Sequence, residues 1–192
     1  MTEFLRKTTI VGVTAMILCA VSGKEAHAQR TMRGESLVTA EVHYPFSSPY
    51  WLGADISYGQ YLLSSYWKAG VFATQHTATF KDDTQMGYLH ACAYGDWMYR
   101  LAGTRNRVFN LYTGAGAFIG YEAVDPKNLV DQQYQEDFGS GRFLYGVQLS
   151  VEMEVFFSRR VSLVLNAKTP FCISTAFGWF HYQVGAGLRV NI

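Results

Sequence analysis

The stretch from Arg142 to Val155, RFLYGVQLSVEMEV, constrains this chain most. From Tyr145 on, alternate residues are Tyr145, Val147, Leu149, Val151, Met153 and Val155, and those between them are Gly146, Gln148, Ser150, Glu152 and Glu154. Successive side chains of a strand point to opposite faces. The segment is therefore a strand with one apolar and one polar side. At helical spacing the two carboxylates would interrupt any apolar stripe. Which face is enclosed decides the fold.

The same alternation recurs along the chain. It predicts strands over about 36–44, 51–62, 66–77, 86–101, 107–122, 142–155, 161–170 and 177–192. Strand one sets Val38, Ala40, Val42 and Tyr44 against Leu37, Thr39, Glu41 and His43. Strand five sets Phe109, Leu111, Ala115, Ala117, Ile119 and Tyr121 against Asn110, Tyr112, Gly114, Gly116, Phe118 and Gly120. Strand eight ends the chain with Val184, Ala186, Leu188, Val190 and Ile192 on one face and Gln183, Gly185, Gly187, Arg189 and Asn191 on the other. Strand four, around Met86 to Leu101, alternates less cleanly. Connections after strands two, four and six are tight. Those after strands one, three, five and seven tend to be longer, the longest being the acidic, Gln-rich stretch 123–141. Eight strands joined by alternating short and long connections form the pattern of an outer-membrane barrel.

The start of the chain agrees. Arg6 and Lys7 precede an apolar run from about Thr8 to Val21, and Ala26-His27-Ala28 offers small residues on both sides of a larger one. This reads as a secretory leader, residues 1–28, cleaved after Ala28. The apolar run is roughly 14 residues, short of the ~20 that a permanent spanning helix needs. A lipoprotein anchor at Cys19 would follow Leu18, where a small residue is expected. The mature chain, residues 29–192, is one domain's worth of sequence. The net charge of +1 argues against direct nucleic-acid binding. Cys92 and Cys172 survive cleavage and can form a disulfide in an oxidising periplasm. Spacing alone does not say whether they meet.

Composition separates a soluble barrel from a membrane one. A soluble barrel would present Lys and Glu on its polar faces. Here those faces carry Gly, Ser, Asn and Gln, with only a few ionisable groups: Glu152, Glu154, Lys168, His181 and Arg189. A narrow lumen needs small residues, and charges of both signs pair inside it. The apolar face carries aromatics near strand ends, among them Phe109, Tyr121, Tyr145, Phe180 and Tyr182, as interfacial girdles do. The expected fold is all-β, an eight-stranded antiparallel up-and-down β-barrel of outer-membrane type with its apolar face towards lipid.

Chemistry is sparse. A lipid-modifying barrel enzyme needs a nucleophile, a base and an orienting acid near one rim. His43, His76, His90 and His181 are the candidate bases, but their spacing specifies nothing and no Gly-x-Ser-x-Gly is present. Each is read as a polar lumen or rim residue. Glu152 and Glu154 are read as a lumen salt bridge with Lys168 or Arg189 rather than a catalytic acid pair. No Cys/His spacing resembles a metal site. No catalytic, cofactor-binding or metal residue is assigned, and no cofactor is expected. The lumen of so small a barrel is filled by side chains, so a transport pore is not expected. The loop 123–141 is the expected contact surface.

Several segments together resemble a known family. They are "YGDW" at Tyr94 to Trp97, "GAFIGYE" at Gly116 to Glu122, "FLYGVQLSVEMEVFFSRRVSLVLNAK" at Phe143 to Lys168, and the final "VGAGLRVNI" at Val184 to Ile192. Their order is similar to that of the TraO family, conjugal-transfer proteins of Bacteroides-type conjugative transposons. The likeness is clearest from Tyr94 onward. Ile192 stands where barrels usually end on an aromatic. The resemblance implies a non-enzymatic envelope component of a mating apparatus, with outer-membrane lipid and other conjugal-transfer proteins as partners. It brings no catalytic residues. The competing readings are an adhesion or stability barrel without a transfer role, and a lipid-modifying enzyme.

Overall fold

The computed structural model describes residues 33–46, 53–79, 85–104, 108–124, 141–158, 160–175 and 179–192. The leader, most of the 123–141 loop and Trp51 and Leu52 of the expected second strand lie outside them. Eight strands follow one another: β1 Ser36–Pro45, β2 Gly53–Tyr61, β3 Ser65–Thr79, β4 Gln85–Gly103, β5 Phe109–Val124, β6 Arg142–Phe156, β7 Val161–Cys172 and β8 Gln183–Asn191. Each pairs antiparallel with the next, and β1 pairs with β8, so the sheet is a closed barrel. Closure leaves no unpaired edge, which a sheet in hydrocarbon requires.

The sides fall as the alternation requires. On β6, Leu144, Gln148, Ser150, Glu152 and Glu154 point inward and are buried, while Leu149 faces outward and is 65% exposed. The outward face of the barrel is a band of aliphatic side chains: Val42, Ile56, Val71, Val147, Val151, Val184 and Leu188. Aromatics border it at both ends. Tyr44, Tyr121, Phe143, Tyr145 and Tyr182 ring the end with the long connections, and Tyr58, Trp67, Trp97 and Tyr99 ring the end with the short turns. Phe109 and Tyr121 stand on the same face of β5, near its two ends. At ~3.3 Å per residue and a tilt of ~40°, such a pair is about 30 Å apart along the barrel axis, the thickness of a bilayer core. A water-soluble protein would not leave so much contiguous apolar surface uncovered.

Several boundaries differ from the sequence reading by one to a few residues, β5 ending at Val124 and β7 at Cys172 among them. β3 and β4 run further towards the long-connection end, to Thr79 and from Gln85, because their ladder continues to that pair. β8 begins at Gln183; of the expected earlier part, Phe177 and Gly178 lie outside the described residues and residues 179–182 are not part of the strand. Its neighbour β1 ends at Pro45, the partner of Gln183, and proline has no N–H for a ladder. Among the described residues past this point, Phe46 N–H donates to Tyr182 O at 3.0 Å. The segment before β8 folds onto β7 instead, with Phe171 bridged to Phe180 and His181 N–H donating to Pro170 O at 3.1 Å. The uneven alternation of strand four comes from its inward face, which mixes Tyr88, Cys92, Tyr94 and Met98 with His90 and Asp96; burial alternates strictly from Tyr88 to Tyr99, and the register with β5 shifts only between Arg100 and Ala102.

Candidate functional site: a filled lumen

The inward faces of all eight strands build one continuous feature, a plug of interlocked side chains. Its layer nearest the short turns centres on Arg189 of β8, which is fully buried. Arg189 Nη2 lies 2.6 Å from Glu152 Oε1, and Nη1 lies 3.3 Å from Glu154 Oε1. Its Nε–H donates to Thr39 Oγ1 at 3.0 Å, and its guanidinium stacks over the Tyr66 ring. Lys68 Nζ donates to the other oxygen of Glu152 at 2.8 Å, and Tyr66 O–H also donates to Glu152. Tyr61 and Ser162 hydroxyls each donate to Glu154 at 2.8 Å. The desolvation cost of buried charges is offset only by partners this numerous; both oxygens of Glu152 are bonded, whereas Glu154 uses Oε1 for all its contacts and leaves Oε2 without a hydrogen bond.

The middle layer repeats this logic. Lys168 Nζ lies 2.9 Å from Asp55 and 3.8 Å from Glu41. Tyr94 O–H donates to Asp55 at 2.9 Å, Asn166 donates to Glu41, and Gln148 donates to Asp96 at 2.6 Å. The His43 ring nitrogen stands 3.5 Å from Glu41 and 3.7 Å from Asp55. Glu41, His43 and Asp55 offer ligand atoms within 4.8 Å of one another. The Lys168 ammonium already supplies positive charge to both carboxylates, so this group is a salt-bridge node rather than a vacant cation site.

The layer nearest the long connections is aromatic and sulfur-rich. Phe72, Cys92, Tyr94, Phe118, Leu144 and Cys172 form an apolar cluster. Both cysteines are free thiols. Glycine makes the space here: a Cβ on Gly146 would meet Phe171 O at 2.0 Å and Phe118 Cζ at 2.7 Å. Above this cluster lie His76, Tyr88, His90, His181 and Glu122.

The four histidines singled out from sequence thus all point into the lumen and are buried. His76, His90 and His181 come together, and His43 stands apart with carboxylates. Arg189 does pair with Glu152 and Glu154, whereas Lys168 pairs with Asp55 and Glu41 instead. Sequence reasoning missed Lys68, Asp55 and Glu41 as plug ions. Their inward parity on β1, β2 and β3 was the available signal. A depression of about 520 Å³ on the outward face, over Ala54, Ile56, Val71, Ala73, Ala91 and Ala93, arises where small residues replace bulky ones.

The sequence profile described as "Conjugative transposon protein TraO" matches residues 36–192, the whole barrel. The chain belongs to the TraO family. Among curated proteins none matches it. Solved structures similar to this TraO-family barrel are outer-membrane barrels. Neisserial surface protein A is 14% identical with a TM-score of 0.58, over 83% of this chain and 97% of that one. The β-barrel domain of Pseudomonas aeruginosa OprF is 11% identical with a TM-score of 0.52, over 83% and 98%. Ail, the attachment invasion locus protein of Yersinia pestis, is 10% identical with a TM-score of 0.52, over 84% and 100%. At these identities the likeness concerns the fold. The TraO-family chain is a conjugative-transposon protein built as an outer-membrane-type barrel.

Proposed function

We propose that this chain is exported by removal of residues 1–28 and inserted in the outer membrane. There it serves the mating apparatus as a structural or assembly element, not as an enzyme or a conduit. The observation that carries the reading is the filled lumen. Arg189, Lys68, Lys168, Glu152 and Glu154 are buried and joined in ion pairs across the bore. Opening a path for solute or DNA through this plug would separate several buried pairs, each costing about 3–5 kcal/mol to break. The candidate bases are buried, His43 among carboxylates in the middle layer and His76, His90 and His181 against one another at the long-connection end. What remains for contact is the pair of barrel ends, with the 123–141 loop as the largest surface for other transfer proteins. Short turns would then face the periplasm and long connections the exterior.

Deleting the gene from its element and counting transconjugants tests the role. Transfer should fall sharply and return with the wild-type gene. A copy whose loop 123–141 is shortened should reach the outer membrane yet fail to restore transfer. Undiminished transfer from the deletion strain would refute the role. Unchanged lipid A profiles on overexpression are expected, and altered ones would favour the lipid-modifying reading.

A further inference from the structure

We propose that His76, His90 and His181 form a binding site for a divalent transition metal, zinc in the first instance, at the long-connection end of the lumen. The ring centroids stand 4.8 Å apart for His76 and His90, 5.1 Å for His76 and His181, and 5.1 Å for His90 and His181. A zinc–nitrogen bond is about 2.0–2.1 Å and a ring centroid lies about 1.1 Å behind its nitrogen, so three imidazoles on one tetrahedral ion have centroids about 5.2 Å apart. The observed triangle is nearly equilateral and within a few tenths of an ångström of that size.

The surroundings of the triangle suit a metal. His90 Nε2 lies 3.0 Å from Glu122 Oε2, and Glu122 also accepts from Thr175 Oγ1 at 2.6 Å. This leaves His90 Nδ1 for the ion and gives the carboxylate–histidine–metal arrangement that fixes ligand tautomer and orientation. Cys172 Sγ is 3.5 Å from His181 Nδ1. A thiolate and an imidazole on one tetrahedral zinc stand about 3.5 Å apart. Among the described buried residues, carboxylates in the lumen outnumber Lys and Arg six to three, so an added cation is electrostatically welcome.

In the present rotamers the rings meet tilted or edge to face, and Tyr88 O–H lies 3.3 Å from His181 Nε2. Metal binding requires each ring to turn about χ2 until one of its nitrogens faces the ion, and requires His181 to exchange its contact with Tyr88 or Cys172 for that bond. The site has a structural consequence. His76 and His90 belong to β3 and β4, while His181 lies in the segment between β7 and β8. One ion would clamp that connection to the opposite wall of the barrel.

The test uses tag-free mature barrel, folded in detergent, stripped with chelator and titrated with Co2+. One equivalent should bind with the visible absorption of tetrahedral cobalt, and Zn2+ should displace it. His76→Gln, His90→Gln and His181→Gln should each weaken binding at least tenfold, and Glu122→Gln by about tenfold as a residue orienting a ligand. His43→Gln, in the salt-bridged node, should leave it unchanged. Heat-dependent gel mobility verifies that each variant is folded. Should one fail to fold, Cu2+ bound to the wild-type barrel must still show imidazole nitrogen couplings in pulsed electron paramagnetic resonance. Absence of saturable binding, binding that survives all three histidine substitutions, or loss in His43→Gln would each overturn the site.

Discussion

Replacing Glu152 with Gln should be among the costliest single changes to this barrel. Glu152 is fully buried and faces two cations, Arg189 at 2.6 Å and Lys68 at 2.8 Å, with the Tyr66 hydroxyl as a third donor. Gln keeps the volume and one acceptor oxygen but removes the charge. Arg189 retains Glu154 at 3.3 Å, so the principal damage is to Lys68, whose closest carboxylate is lost. Breaking a buried pair by neutralising one member costs about 3–5 kcal/mol, because the other charge stays desolvated. That is about a 10²–10⁴-fold shift in the folding equilibrium. The assay is urea unfolding of the barrel in lipid vesicles, followed by tryptophan fluorescence. Pairing the change with Lys68→Met should recover at least half of the loss, since an apolar stem then replaces the stranded ammonium. A loss under about 1 kcal/mol for Glu152→Gln, or a double variant as unstable as the sum of both singles, would refute the pairing logic.

Three further outcomes follow from the same geometry. Leu149→Arg places a charge mid-strand on the outward face and should cost about 2–4 kcal/mol in a bilayer; a neutral effect would contradict a lipid-facing band. Gly146→Ala drives a Cβ to 2.0 Å from Phe171 O and should destabilise by about 1–3 kcal/mol through overpacking, measured by the same unfolding assay; unchanged stability would mean that the β6–β7 contact is looser than described. Cys92 and Cys172 are free and buried, so a bulky maleimide should label neither in the folded barrel and both after boiling. Rapid labelling of the folded form would show an open lumen.

Much of this arrangement was legible because a strand has a period of two. Glu152 and Glu154 share parity with Gln148 and Ser150, so one inward assignment carries all four. The end of β8 was legible in the same way, and its start was not. Nothing local in FGWFHY marks the loss of a ladder partner at Pro45, which lies over 130 residues earlier. The ion partners were equally hidden. Lys168 faces inward by parity, but whether it meets Glu152 or Asp55 depends on how the strands stagger around the barrel. The histidine triangle is the extreme case. His76 and His90 sit on adjacent paired strands, two register pairs apart on the inward face, while His181 reaches them across the bore from a segment that is not a strand.

Alternation along each strand, read with the glycine-and-amide character of one face, was enough to define eight ribbons, their sidedness and the outer-membrane type of the barrel. These properties depend on the order of neighbours along the chain, and that order is written in the amino acids. Which acid meets which base, and which histidines touch, were settled only when the barrel closed. The rotation from strand to strand around a closed sheet is a property of all eight strands together, and no single segment encodes it.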